Sequence, residues 1–140
     1  MSNFQISNSI EKISFKPSSQ TKKLFVTMRE NNKINSKDLQ TFLNSICKDL
    51  NITPPKVLLQ GKQPIYRDGI VAGRYYPYKK IIIYKKSPTT GRNIKNKSVL
   101  SHLLHELMHH LDYKVLKLDG ALHCLGFYKR IDNLKKTLLK

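Results

Sequence analysis

The chain has 140 residues, enough for one domain that buries its own core, and its 26 Lys and Arg against 9 Asp and Glu give a formal net charge of +17. Cys47 and Cys124 are the only cysteines and form no C-x-x-C, which excludes a disulfide framework, a zinc ribbon and a dithiol redox motif. No apolar run approaches a membrane span and Met1 to Phe15 lacks the apolar stretch of a secretion signal, so the expectation is a cytosolic protein without a membrane partner.

Residues 1–20 are Ser- and Asn-rich and read as a flexible, loosely packed arm, leaving 21–140 as the folded domain. Leu24, Phe25, Val26 and Met28 open that domain as a short helix or a strand; the pattern does not decide between them. Leu39, Phe42, Leu43, Ile46 and Leu50 then fall on one helical face, with Asn35 and Asp38, or Ser36, as the start and Asn51 and Pro54-Pro55 as the stop. The middle reads as sheet: Lys56 to Gln60, Ile70 to Tyr76 and Lys80 to Tyr84, the last two joined by a turn at Pro77-Tyr78-Lys79. Lys79, Lys80, Lys85 and Lys86 bracket Ile81-Ile82-Ile83-Tyr84, as lysines do at an exposed sheet edge. That edge is the expected seat for an extended substrate segment. A second long helix begins at Asn96 or Ser98 and carries apolar residues from Val99 to Leu111 on most of its sides. A last helix runs from about Cys124 to Leu139, with Phe127, Ile131, Leu134 and Leu138 on one stripe. The predicted class is α+β, with a short antiparallel sheet whose edge strand lies beside the second long helix.

That helix holds the chemistry. His105-Glu106-Leu107-Met108-His109 is an H-E-x-x-H run. On a helix, positions i and i+4 stack on one face, so His105 and His109 can offer two imidazoles to one Zn²⁺. Glu106 lies one residue on, where its carboxylate can reach a water rather than the metal. A catalytic zinc takes three protein ligands, and the third must come from elsewhere. Six residues beyond His109 stands Val115, and no Glu follows Glu106. The candidates are therefore His123 first, then Asp119 and Asp132, with Cys124 behind them. His102 reads as a packing neighbour and His110 as turned away from the ligand face. Asp112 is either a hydrogen-bond partner to a ligand or a surface charge.

The charge balance predicts attraction to polyanions, DNA above all. Only five of the basic residues are Arg, so backbone contact without strong sequence preference is expected. Lys85, Lys86, Arg92, Lys95 and Lys97 form one candidate contact group, and Lys129, Arg130, Lys135 and Lys136 another.

Three segments together resemble the SprT/Spartan-like zinc metalloproteases. Leu103 to His109 resembles that family's active-site helix, His123-Cys124-Leu125-Gly126-Phe127 its downstream H-G-x-x-F element, and Ala72-Gly73-Arg74-Tyr75 with Ile81 to Tyr84 its preceding hairpin. Cys124 stands where the family has Gly, and the zinc ribbon of many members is absent. The resemblance implies a small zincin-like, minimal metalloprotease domain with one catalytic Zn²⁺ on His105, His109 and His123. It implies Glu106 as general base and a protein substrate associated with DNA. Tyr128, Arg74 and Tyr75 are the candidates for steadying an oxyanion. Two other classes remain open: a non-proteolytic zinc module that binds nucleic acid, and a regulatory metallopeptidase that cleaves one partner.

Overall fold

The computed structural model describes residues 2–31, 33–67, 69–118 and 123–140. Its elements are α1 (Asn3–Ser9), α2 (Ser19–Glu30), α3 (Ser36–Asp49), β1 (Lys56–Lys62), β2 (Ile65–Tyr66), β3 (Gly69–Ile70), β4 (Gly73–Tyr76), β5 (Lys80–Lys86), α4 (Asn96–Lys114) and α5 (Leu125–Leu138). This is an α+β arrangement: helices gather on one side of a small sheet, and β2 and β3 form a separate two-stranded ribbon. No helix among the described residues is long and apolar enough to cross a membrane.

The sheet corrects the sequence reading in two ways. Its order is β1-β5-β4, with β5 parallel to β1 and antiparallel to β4, so it is mixed rather than antiparallel. Ile81 to Tyr84 is therefore a central segment, paired on both sides, and not an edge that can accept a substrate strand. The run Ile81-Ile82-Ile83 carried the signal: three consecutive buried residues mark a strand covered on both faces. The lysines around it cap the strand ends instead of guarding an edge.

Both outer strands have a free side, and the two sides meet different fates. Helix α3 covers that of β1, where Val57 N–H donates to Gln40 Oε1 at 2.8 Å and Leu59 N–H to Ser36 Oγ at 3.0 Å. The other edge, β4, faces a groove beside α4. Leu24 to Met28 resolves as helix α2, started by the Ser18 side chain accepting from Thr21 N–H. Asn35 and Asp38 form a capping box at the head of α3, as one of the two expected starts required. Helix α4 begins after Lys95 with no side-chain cap, so neither Asn96 nor Ser98 serves as one.

The core lies between α2, α3, α4, α5 and the inner face of the sheet; Phe25, Phe42, Leu103, Leu107, Ile81 and Phe127 are at its centre. The first residues are not a loose arm. Helix α1 packs on α5, with Ser7 fully buried and Gly126 N–H donating to Asn8 Oδ1 at 3.1 Å. A Cβ on Gly126 would meet the Asn8 carbonyl oxygen at 2.7 Å, so the close approach needs glycine.

Candidate metal centre

Helix α4 aligns His105 and His109 by its own pitch, with ring centroids 5.0 Å apart. His123 lies two residues before α5 and enters from the opposite side, its ring 5.0 Å from His105 and 4.9 Å from His109. The three Nε2 atoms converge. His123 Nε2 is 3.0 Å from His109 Nε2 and 3.3 Å from His105 Nε2. Nitrogen ligands about 2.0–2.1 Å from a tetrahedral zinc stand about 3.3–3.4 Å from one another, so the spacing fits one ion. The three imidazoles are thus close enough to bind a metal ion. Phe127 holds them from below, stacked on His109 at 4.6 Å and edge-on to His105 at 5.1 Å.

Electrostatics favour the ligating form. Burial, and then the neighbouring rings of His123 and His102, hold His105 down to about 4. Burial, with His105 and His123 adding to it, holds His109 down to about 3. Both imidazoles are therefore neutral near pH 7, with lone pairs free for a cation. Burial pushes the Glu106 carboxyl the other way, up to about 7. Glu106 is 6% exposed, and its Oε2 has no hydrogen-bond partner among the described residues.

A groove of about 640 Å³ runs between β4 and α4, with His105, Glu106, His109 and His123 along one wall. Gly73 brings β4 against that wall: a Cβ there would lie 3.2 Å from Glu106 Cγ and 3.0 Å from the Ile82 carbonyl oxygen. A lone glycine in a strand marks such a close approach, and this was the signal by which its role could have been found in the sequence.

The remaining candidates separate clearly. Asp132 is exposed on α5, paired with Lys136 at 2.9 Å, and Cys124 is buried with its Sγ 3.3 Å from Ser7 Oγ; neither joins the three histidines. Asp119 lies outside the described residues. His102 lines the groove without joining the three ligand nitrogens. His110 is turned away as expected, its Nε2–H donating to the Thr53 carbonyl oxygen at 2.9 Å. Its Nδ1 must then accept, and it does so from the Tyr75 hydroxyl at 2.8 Å. That commitment takes Tyr75's only proton and removes it as an oxyanion donor. Arg74 stands at the rim of the groove, but strand alternation turns its side chain to the face opposite Gly73, with the guanidinium 5.1 Å from the Tyr66 ring centroid. Tyr128 remains: half-exposed, its ring lies 6.2 Å from His105 and 6.3 Å from His123.

Asp112 is neither a ligand's partner nor a surface charge. It is buried and paired with Arg130 at 3.0 Å. Burial raises its carboxyl, and the Arg130 charge and hydrogen bond offset only part of that. Arg130 is fully buried too, donating to the carbonyl oxygens of Ser7 and Ile10, so it cannot meet nucleic acid. Lys129 and Lys136 of the same group are paired with Glu11 and Asp132. Lys135 is exposed, as are Arg92, Lys95 and Lys97; Lys85 and Lys86 are half-buried at the end of β5.

Comparison with known proteins finds no matching family model, no matching curated protein and no matching solved structure.

Proposed function

We propose that the chain is a zinc-dependent endopeptidase of the SprT/Spartan-like kind, with a zincin-like catalytic domain, acting on proteins associated with DNA. One observation carries the reading: three imidazoles converge on one point beside a buried carboxylate, in a groove bounded by an open strand edge. Zinc held there would supply Lewis acidity, making water a nucleophile at neutral pH and polarising a carbonyl.

The chain's own residues do the rest. Glu106, held up to about 7, sits near the working pH where a general base both accepts and returns a proton efficiently. It takes the proton of the attacking water and delivers it to the leaving amine. The β4 edge, rather than Ile81–Tyr84, offers main-chain groups to an extended peptide, which implies little side-chain preference. Tyr128, at the rim beside His105 and His123, is the remaining side chain placed to donate to a developing oxyanion. The charge of +17 supports association with DNA and with substrates held on it.

The test is cleavage of a basic DNA-binding protein with and without DNA, with and without chelator. Wild type should cut and chelator should stop it. Glu106→Gln should retain one metal per chain and lose about 100-fold or more in rate, the usual weight of a general base. Full activity in that variant, or in chelated protein, defeats the proposal. DNA binding without any cleavage would leave the non-proteolytic zinc module in its place.

A further inference from the structure

Helices cover the three-stranded sheet on one side only, although Ile82 at the centre of the other face is also buried. Helices α3 and α4 pack on it from the side of Val57, Ile81, Ile83 and Tyr75, all part of the core cluster or packed against it. No described helix covers the other face. By alternation and register, the outward rungs are Lys56–Lys80–Tyr76 at one end, then Leu58–Ile82–Arg74 and Gln60–Tyr84, and Lys62–Lys86 at the other end. This face is cationic and aromatic together. Lys80 Nζ lies 5.1 Å from the Tyr76 ring centroid, and the Arg74 guanidinium lies over Tyr66, which the β2–β3 ribbon brings alongside. Tyr66 is 52% exposed and Tyr76 38%. Between Asp49 and Glu106 the sequence has a single acid, Asp68, which lies outside the described residues. None of the three ion pairs among the described residues touches the sheet.

We infer that this open sheet face, Tyr66 and Tyr76 with Lys56, Lys62, Lys80 and Arg74, is a binding platform for single-stranded nucleic acid. Exposed tyrosines give bases a surface on which to stack, and every base has a π-face to offer. The flanking ammonium and guanidinium groups take the phosphates. A duplex keeps its bases stacked inside and can use only the charges, so the platform selects strands whose bases are splayed out. An acidic protein surface would use the same charges but would gain nothing from the rings. The inference rests on the polyanion affinity proposed above and not on peptidase activity; Arg74 and Tyr76 also line the groove, whereas Lys56, Lys62 and Tyr66 do not.

Fluorescence anisotropy of a labelled oligothymidylate against a duplex of equal length, with full-length protein, tests it. Wild type should prefer the single strand, with affinity falling as salt rises. Tyr66→Ala/Tyr76→Ala should weaken single-strand binding by about tenfold or more and leave duplex binding nearly unchanged. Lys56→Glu/Lys62→Glu, at two exposed positions, should weaken both, and it stands in should the aromatic variant lose its fold. Lys129→Ala/Lys135→Ala/Lys136→Ala on α5 should change single-strand binding less than either. Equal binding of single strand and duplex, undiminished binding by both sheet variants, or equal competition by polyglutamate would each overturn the platform. Chelator-sensitive cleavage in Lys56→Glu/Lys62→Glu, whose positions do not line the groove, would show that the peptidase reading stands whether or not the platform does.

Discussion

Gly73 and Glu106 show how much one missing side chain decides. With no Cβ, Gly73 lets β4 lie against α4 and leaves the Glu106 carboxylate its place at the groove wall. Gly73→Val is expected to push Glu106 aside, lowering cleavage by roughly 100-fold through misplacement alone. Metal content should stay at wild-type level, since the three histidines stand on other elements. Unchanged cleavage in that variant would remove Gly73 from the site. Protonation supplies a second prediction, for metal-free protein. The unfolded chain protonates its histidines near 6.5, whereas His105 and His109 resist protonation to about 4 and about 3 when folded. Acidification below 6.5 therefore favours the unfolded chain, so their contribution to stability rises with pH across that window. Glu106 acts oppositely: ordinarily titrating at 4.5 and held up to about 7 in the fold, it loses stability as pH rises between them. Two imidazoles oppose one carboxyl, so chelated protein should be more stable near pH 6.5 than near pH 4.5 in urea melts. Glu106→Gln removes the opposing group and should steepen that gain; an equal gain in both proteins would contradict a carboxyl raised by burial.

At the scale of elements, the candidate metal centre depends on holding α5 against α4, because two of the three histidines come from one and the third from the approach to the other. The Arg130–Asp112 pair ties the two helices together, and the same guanidinium anchors α1 through Ser7 and Ile10. Removing one partner of a buried ion pair strands the other. Arg130→Ala should therefore cost about 3–5 kcal/mol of stability, measured by denaturant unfolding. Arg130→Met with Asp112→Leu should recover part of that cost, since an apolar replacement leaves no unpaired charge. A loss below about 1 kcal/mol for Arg130→Ala would mean the pair does not join the helices as described. Sequence periodicity displayed all three long helices of the core, α3, α4 and α5, because each buries a stripe that repeats with the helical turn. It did not display α1, whose only fully buried residue is Ser7, a polar side chain that no hydrophobic pattern can reveal. Arg130 was misread for the same reason. A lysine or arginine looks alike in sequence whether it faces water or fills a buried slot with hydrogen bonds.

For the molecule as a whole, the core is formed by helices and sheet packed around apolar side chains, and the three histidines that could hold a metal line the groove beside it. Chelation should thus leave far-UV circular dichroism and a cooperative melt intact, lowering the melting temperature only by the lost binding energy. Collapse of the fold on chelation, as in small domains built around a metal, would show the reverse. What the sequence by itself determined is the local chemistry: the H-E-x-x-H spacing becomes two stacked imidazoles and an adjacent carboxylate on any helix, while His123 stood first among four candidates for the third ligand. Helical pitch and side-chain identity are local properties, so they can be read along the chain. Tertiary structure alone decided which strand is the open edge, which basic residues are buried or paired, and which tyrosine keeps its proton free. Each of these depends on partners distant in sequence: β1 brought parallel to β5, Ser7 brought to Arg130, His110 brought to Tyr75. Register and burial are properties of pairs of segments, and no single segment carries them.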